Sequence, residues 1–239
     1  MVITEYKIKA DIEKAVTFAF LSDLHNHHNG PLIKAIRQIH ADAVLVGGDF
    51  IHNNDLYERG FEFLRLSAKL WPTFCVLGNH ERKYKRGDLI ERVNGSGAIL
   101  LDDRAVRYKG IAIGGLTTGY GEDEKQGRLK ETPQPDLDFL ESFSRLRGFK
   151  ILLSHHPEYY PKYIKELPID LTLSGHAHGG QWCFFGQGIF APGQGLFPKY
   201  THGMHDGKFI VSRGLSIENP IPRINNEPEI IVIRIEPKD

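Results

Sequence analysis

The sequence predicts an α/β fold arranged as a four-layer α-β-β-α sandwich, two mixed β-sheets packed face to face with helices outside. Three observations point there. Short runs rich in Val, Ile, Leu and Phe alternate with helix-like stretches through the first half, the pattern of layered α/β architecture. Further strand-like runs recur in the second half, enough for a second sheet, so one sheet is expected from each half. A chain of 239 residues, 41% hydrophobic and 25% charged, can bury one large core, and nothing in its composition is disordered or fibrous. The expectation is one domain spanning residues 1–239.

Taken in order, residues 1–14 alternate charged and apolar side chains and lack the continuous apolar core of a signal peptide. Residues 17–21, 43–46 and 73–77 are the first strand-like runs. Pro31 suits a first helical turn, and Leu32, Ala35, Ile36 and Ile39 then share one helical face. A second helix is expected from Asp55, a good N-cap, carrying Phe61, Leu64 and Ala68 toward the sheet until Trp71-Pro72 stops it. Residues 98–101, 104–108 and 111–114, separated by Asp-Asp and Lys-Gly turns, read as an antiparallel meander. Residues 119–135 read as a long loop, followed by a helix with Leu137, Leu140, Phe143 and Leu146 at i, i+3 spacing. Strands are expected at 150–153, 171–173, 182–185, 209–212 and 229–235.

Lys+Arg and Asp+Glu are both 30, so the whole chain lacks the basic footprint of a protein that tracks nucleic acid. Cys75 and Cys183, in apolar surroundings and without C-x-x-C spacing, argue against a thiolate zinc site and read as two buried free thiols. No stretch is long and apolar enough to span a bilayer. A soluble, cytoplasmic protein is the expectation.

Chemistry concentrates where the apolar runs end. Asp23-Leu24-His25 follows the first run, Gly47-Gly48-Asp49 the second and Gly78-Asn79-His80-Glu81 the third. Ser154-His155-His156 and Gly175-His176-Ala177-His178-Gly179 follow two later runs. These are the strand-to-loop exits where α/β sheets place their sites. An extended backbone puts Asp23 and His25 on one side, within reach of one ion. Asp49, after two glycines that permit a tight turn, can share two oxygens between ions. The H-x-H of His176 and His178 is the most specific single signal, and the conjunction of all five groups is stronger than any of them. Carboxylate, imidazole and amide donors without thiolate suit Mn²⁺, Fe²⁺/Fe³⁺, Zn²⁺ or Co²⁺.

These motifs, in this order, resemble those of the calcineurin-like metallophosphoesterases: D-x-H, G-D-x-x, G-N-H-[DE], a later H, and G-H-x-H. The resemblance covers almost the whole chain and implies that family's fold. It further implies that Asp23, His25 and His178 hold one ion and Asn79, His155 and His176 a second, with Asp49 bridging. His80 then corresponds to the non-ligand histidine that acts on the leaving oxygen, and Glu81 supports it. The tail is similar to the YkuE-like branch: Gly175 to Gln181 is followed by Tyr200-Thr201-His202-Gly203, Ser212-Arg213-Gly214-Leu215, Pro220-Ile221-Pro222-Arg223 and Pro228-Glu229-Ile230.

The implied activity is hydrolysis of a phosphate ester by a metal-bridging hydroxide. The substrate is a small phosphodiester, a phosphomonoester, or a pyrophosphate-linked lipid or nucleotide, and no side-chain nucleophile is needed. A nuclease is the enzymatic rival, and a non-catalytic metal-binding scaffold for a protein partner is the rival from another class. His27 and His28 read as ordinary loop residues, His40 as a helix-end residue and His52 as satisfied or solvated. His156 is the alternative to His155. His202 and His205 stay unassigned, and Arg213 and Arg223 are phosphate binders or, more commonly, salt-bridge donors.

Overall fold

The computed structural model describes residues 1–25, 27–52, 57–84, 86–118, 133–216 and 222–238. From the N-terminus the chain forms β1 (Val2–Ala10), β2 (Val16–Leu21), α1 (Asn29–Ile39), β3 (Ala43–Val46), α2 (Glu58–Leu70) and β4 (Thr73–Cys75). The short helices α3 (Asn79–Arg82) and α4 (Leu89–Gly95) lead to β5 (Ile99–Leu100). Next come β6 (Arg104–Tyr108), β7 (Ile111–Leu116), α5 (Leu137–Ser144), β8 (Lys150–Ser154), a π-helical turn at Tyr160–Ile164, and β9 (Leu171–Ser174). Two small hairpins follow, β10 (Cys183–Phe184) with β11 (Gln187–Gly188) and β12 (Phe190–Ala191) with β13 (Gly195–Leu196). The chain then adds β14 (Gly203–His205), β15 (Phe209–Val211) and β16 (Glu229–Pro237).

Two six-stranded sheets result, ordered β1-β16-β2-β3-β4-β5 and β14-β15-β9-β8-β7-β6. Both are mixed. In the first, β2 to β5 run parallel and β16 is antiparallel to β2. In the second, β7, β8, β9 and β15 run parallel, with antiparallel β6 and β14 at the edges.

The period-2 alternation of strands sorts side chains into layers. Phe18 and Phe20 of β2 point into the space between the sheets, with Leu45, Phe74, Ile113, Ile151, Leu153 and Leu173. Ala19 and Leu21, on the other face, meet Leu32 and Ile36 of α1 and Phe61 and Leu64 of α2. Behind the second sheet, Leu140 and Phe143 of α5 pack with Leu152 and Tyr160, and the Tyr160 ring stacks on Phe209 at 4.0 Å. The expected layers are therefore present. Truncating a fully buried ring such as Phe20 to Ala costs about 3–5 kcal/mol.

Several expectations need correction. The meander does not form: β5 pairs parallel with β4 in the first sheet, and only β6 and β7 make a hairpin. The chain crosses between sheets at Asp102-Asp103, where Asp103 takes a left-handed φ of 46°. Nor does each sheet come from one half, because the C-terminal β16 inserts between β1 and β2. The run at 182–185 joins neither large sheet and forms the hairpin β10–β11. Leu137 and Leu146 are exposed, while Leu140 and Phe143 are buried. The N-cap at Asp55 and most of the 119–135 loop lie outside the described residues. Both cysteines are free and buried, and among the described residues no helix is long and apolar enough to cross a membrane.

Candidate metal centre

The parallel strands β2, β3 and β4 of one sheet and the parallel pair β8 and β9 of the other feed loops that meet. Asp23 and His25 follow β2, Asp49 follows β3, Asn79 opens α3 after β4, His155 follows β8, and His176 and His178 follow β9. The side chains converge in four overlapping groups: Asp23 with His25 and His178, Asp49 with His155 and His176, and, sharing members with these, His25 with His52 and His80, and His156 with Glu158 and His176.

Asp49 lies between the first two. Its Oδ2 is 3.3 Å from His155 Nε2 and 3.6 Å from His25 Nε2. Asn79 Oδ1 is 3.2 Å from His155 Nε2, and His178 Nε2 is 3.7 Å from Asp23 Oδ1. His155 Nδ1 faces the Gly47 carbonyl at 2.7 Å. A carbonyl only accepts, so Nδ1 carries the proton and Nε2 is the atom left for a ligand role. Its neighbour His156 turns away, with Nδ1 3.2 Å from Glu158 Oε1 and its ring 4.3 Å from that of His176. Of the two histidines, His155 is thus the one beside Asp49 and Asn79.

The backbone at the site is strained in a consistent way. Asp23, His25, Asp49, His176 and His178 all have φ between 43° and 65°, a region costing non-glycine residues on the order of 1–3 kcal/mol each and held only by surrounding structure. The restraints are identifiable. Asp23 N donates to Gly48 O and His25 N to Asp49 O, each at 3.0 Å. His176 N donates to the Asp23 carboxylate at 3.0 and 3.1 Å. Ser22 Oγ donates to Asp23 Oδ2 at 2.7 Å.

Glu81 ties two of these loops together. Its Oε2 accepts from Asp49 N at 2.8 Å and from Gly78 N at 2.7 Å, and its Oε1 from Ile51 N at 2.9 Å. These bonds reach backbone amides and not the His80 ring. Burial and the neighbouring Asp49 charge push the Glu81 carboxyl up, and the Ile51 and Gly78 amides oppose that. Three N–H groups aimed at two oxygens are a geometry that serves the carboxylate.

The imidazoles divide electrostatically. Burial, against the pull of Asp49, holds His25 well below its ordinary pKa, with His178, His80 and His52 adding to the effect. Burial and then His156 do the same for His176, and burial lowers His178 despite Asp23. These three rings are neutral donors. Burial alone would lower His155 too, but the Asp49 carboxylate outweighs it and brings His155 to about 10. Burial would raise Asp49, yet His155, through its charge and its hydrogen bond, outweighs burial and keeps Asp49 well below the usual carboxylate range.

Buried carboxylates facing neutral imidazoles, with His25 Nε2 buried and lacking a hydrogen-bond partner, fit a pair of borderline to hard cations. His80 stands at the open side. Its side chain is 20% exposed, with Nε2 4.0 Å from Asp49 Oδ2.

His52 was undervalued by sequence reasoning. Its Nδ1 is 3.1 Å from His25 Nδ1 and its ring stacks 4.8 Å from that of His80, so it is satisfied, as one of the two expected alternatives had it, by the site itself, while remaining half-buried. Its spacing, three residues past Asp49, was the available signal. Glu158 was also missed. His27 Nδ1 meets the His28 carbonyl, and His40 caps α1 with φ of 56°. His202 contacts Thr201, and His205 packs on Tyr200. Arg223 donates through Nε to Ser216 O and through Nη1 to Arg213 O, each at 2.7 Å, and its charge faces Asp23.

A profile of the calcineurin-like phosphoesterases matches residues 16–180. The metallophosphoesterase YkuE of Bacillus subtilis is 30% identical over 226 residues, 86% of this chain and 71% of that protein. A metallophosphoesterase of Helicobacter pylori J99 is 26% identical over 95% of this chain, which spans 62% of that relative's length. The phosphodiesterase YaeI of Escherichia coli K12 is 28% identical over 68% of this chain and 60% of its own length. The crystal structure of TT1561 from Thermus thermophilus shares the fold, with a TM-score of 0.52 at 14% identity, over 84% of this chain and 90% of that one.

Proposed function

The chain belongs to the calcineurin-like phosphoesterase family, and from that premise we propose that it is a dinuclear-metal-dependent phosphoesterase. The observation that carries the proposal is the place of Asp49, whose Oδ2 lies within 3.6 Å of a histidine from each donor group. A carboxylate so placed can serve two ions at once, with Asp23, His25 and His178 holding one and Asn79, His155 and His176 the other. Two bound cations would supply Lewis-acid activation of water and neutralise charge on the phosphoryl oxygens.

The chain's own residues do the rest. His80, partly open to solvent beside Asp49, protonates or stabilises the departing oxygen of the ester. Glu81 keeps Asp49 and the Gly78 turn in register through its three amide bonds. The donor set does not single out manganese, and Mn²⁺ serves here as the probe. A diester is the substrate class most in keeping with the phosphodiesterase relative YaeI.

The test is turnover of bis-p-nitrophenyl phosphate and p-nitrophenyl phosphate by protein stripped of metal and reloaded with Mn²⁺, beside Asp49→Asn. The expected result is metal-dependent hydrolysis, faster on the diester, that the substitution abolishes. No turnover on either ester by protein holding two ions would overturn the reading.

A further inference from the structure

The last metal-site motif runs straight into an exposed apolar surface. After His178, Gly179, Gly180 and Gln181, the chain forms the β10–β11 and β12–β13 hairpins, which carry Trp182, Phe184, Phe185, Phe190, Leu196 and Phe197, all large and all exposed. Leu196 and Phe197 are 70% and 67% exposed and Phe185 wholly so. Scattered exposed leucines are ordinary, but six large apolar side chains on two adjoining hairpins are not.

The hairpins form one unit with the metal loop. Ile189 N donates to Trp182 O and to Gly180 O, and Phe197 N to Ile189 O. Phe190 stands opposite Leu196 across the second hairpin. Gly180 and Gly188 touch so closely that a Cβ on Gly180 would stand 2.4 Å from Gly188 Cα. The apolar surface is thereby held directly beside the loop carrying His176 and His178.

We propose that this surface seats the protein on a lipid layer, and that the phosphoester reaching the metal centre is borne by an amphiphile in that layer. The proposal rests on the phosphoesterase reading above and names its substrate class. Charge supports the choice of occupant. A quarter of the whole chain is charged, yet between Asp170 and Asp206 no Asp or Glu occurs and Lys199 is the lone formal charge. A segment of exposed aromatic and aliphatic side chains that carries a lysine and no carboxylate of its own matches the interfacial zone of a bilayer, anionic headgroups included.

Shape supports it too. Phe185 and Gly186, with φ of 51° and 78°, make the tight turn of the first hairpin, so the fully exposed ring sits on a narrow tip. Such a tip enters a fluid medium more readily than it fits a flat protein surface. The ladder bonds within and between the hairpins already satisfy much of their backbone, which lowers the cost of shedding water there.

The experiment uses the whole protein and Phe185→Ser/Leu196→Ser/Phe197→Ser, none of them at the metal site. Co-sedimentation with phosphatidylcholine vesicles, with and without phosphatidylglycerol, is measured beside hydrolysis of p-nitrophenyl alkyl phosphodiesters of short and long chain. Wild-type protein is expected to sediment with vesicles, and to hydrolyse the long-chain ester faster once it forms micelles. The triple variant is expected to bind vesicles at least about tenfold more weakly and to lose the micellar increment. Its turnover of the short-chain ester should be unchanged, which also shows that it is folded.

Failure of wild-type protein to bind vesicles overturns the proposal. So does concentration-dependent dimerisation in light scattering that the triple variant abolishes, since a second copy would then be the occupant. Vesicle binding without hydrolysis of any ester would instead sink the phosphoesterase reading and leave the lipid-docking surface standing.

Discussion

Replacing Glu81 tests whether it holds the candidate metal centre together through the backbone scaffold or supports the His80 ring directly. Glu81 is 1% exposed and accepts three backbone N–H groups, from Asp49, Gly78 and Ile51, at 2.7 to 2.9 Å. A hydrogen bond to a charged group contributes about 1.5–3 kcal/mol net, and a buried donor left without a partner costs about 1–3 kcal/mol. Glu81→Ala strands three donors and should destabilise the metal-free protein by on the order of 4–8 kcal/mol, allowing for non-additivity. In Glu81→Gln the amide oxygen can take the place of Oε2 and keep two of the bonds, while its NH₂ confronts the Ile51 N–H. The expected loss is about 2–4 kcal/mol. Urea unfolding of the metal-free proteins measures both, and calorimetric titration with Mn²⁺ should show weaker binding, because Asp49 loses its anchor. A loss below about 1 kcal/mol for the alanine variant would refute the scaffold argument. So would a glutamine variant with normal stability and metal affinity but no turnover, which would assign Glu81 to the His80 ring.

Two further outcomes follow from the same geometry. Gly78→Ala puts a methyl 2.2 Å from Asp49 Oδ1 and 2.8 Å from His155 Nε2, so Mn²⁺ affinity should fall at least about a hundredfold, whereas Gly95→Ala, with nothing within 4 Å, should leave it unchanged in the same titration. His155, raised to about 10 in the metal-free chain, gives the fold stability that is fully present below its ordinary value near 6.5 and is lost as pH rises through about 10. A cation must displace that proton. Affinity for Mn²⁺ should therefore rise about tenfold per pH unit between roughly pH 7 and 9, and proton release should appear when calorimetry is repeated in buffers of different ionisation heat. A pH-independent affinity would show that His155 is already neutral.

Much of the site was legible in the chain because its chemistry lies in short motifs at strand exits. Residue type and order suffice to nominate Asp23, His25, Asp49, Asn79, His155, His176 and His178, and the apolar runs before them place them just past the ends of strands β2, β3, β4, β8 and β9. The role of Glu81 was less legible, since its partners are backbone amides up to 32 residues away, at Asp49, and an amide leaves no mark in a sequence. His52 escaped for a related reason. A histidine in a polar loop has no signature until His25 and His80 are brought against it.

At the level of the fold, alternating apolar runs determine that there are strands, and their number calls for two sheets, because each side chain's face depends only on its own strand's pleat. Which strand joins which sheet depends on pairing between distant segments. The Asp-Asp turn at 102–103 looks like a hairpin turn, but the chain uses it to cross between sheets, since β5 finds its partner in β4. The nine residues of β1 show the same limit. Their charged and apolar side chains alternate, and an edge strand results because β16, arriving from the other end of the chain, offers Glu229–Pro237 as a parallel partner. Residue chemistry, being local, is written in the sequence. The partners of backbone amides and the left-handed φ values of the candidate ligand residues exist only once packing over-determines them, and those belong to the tertiary structure.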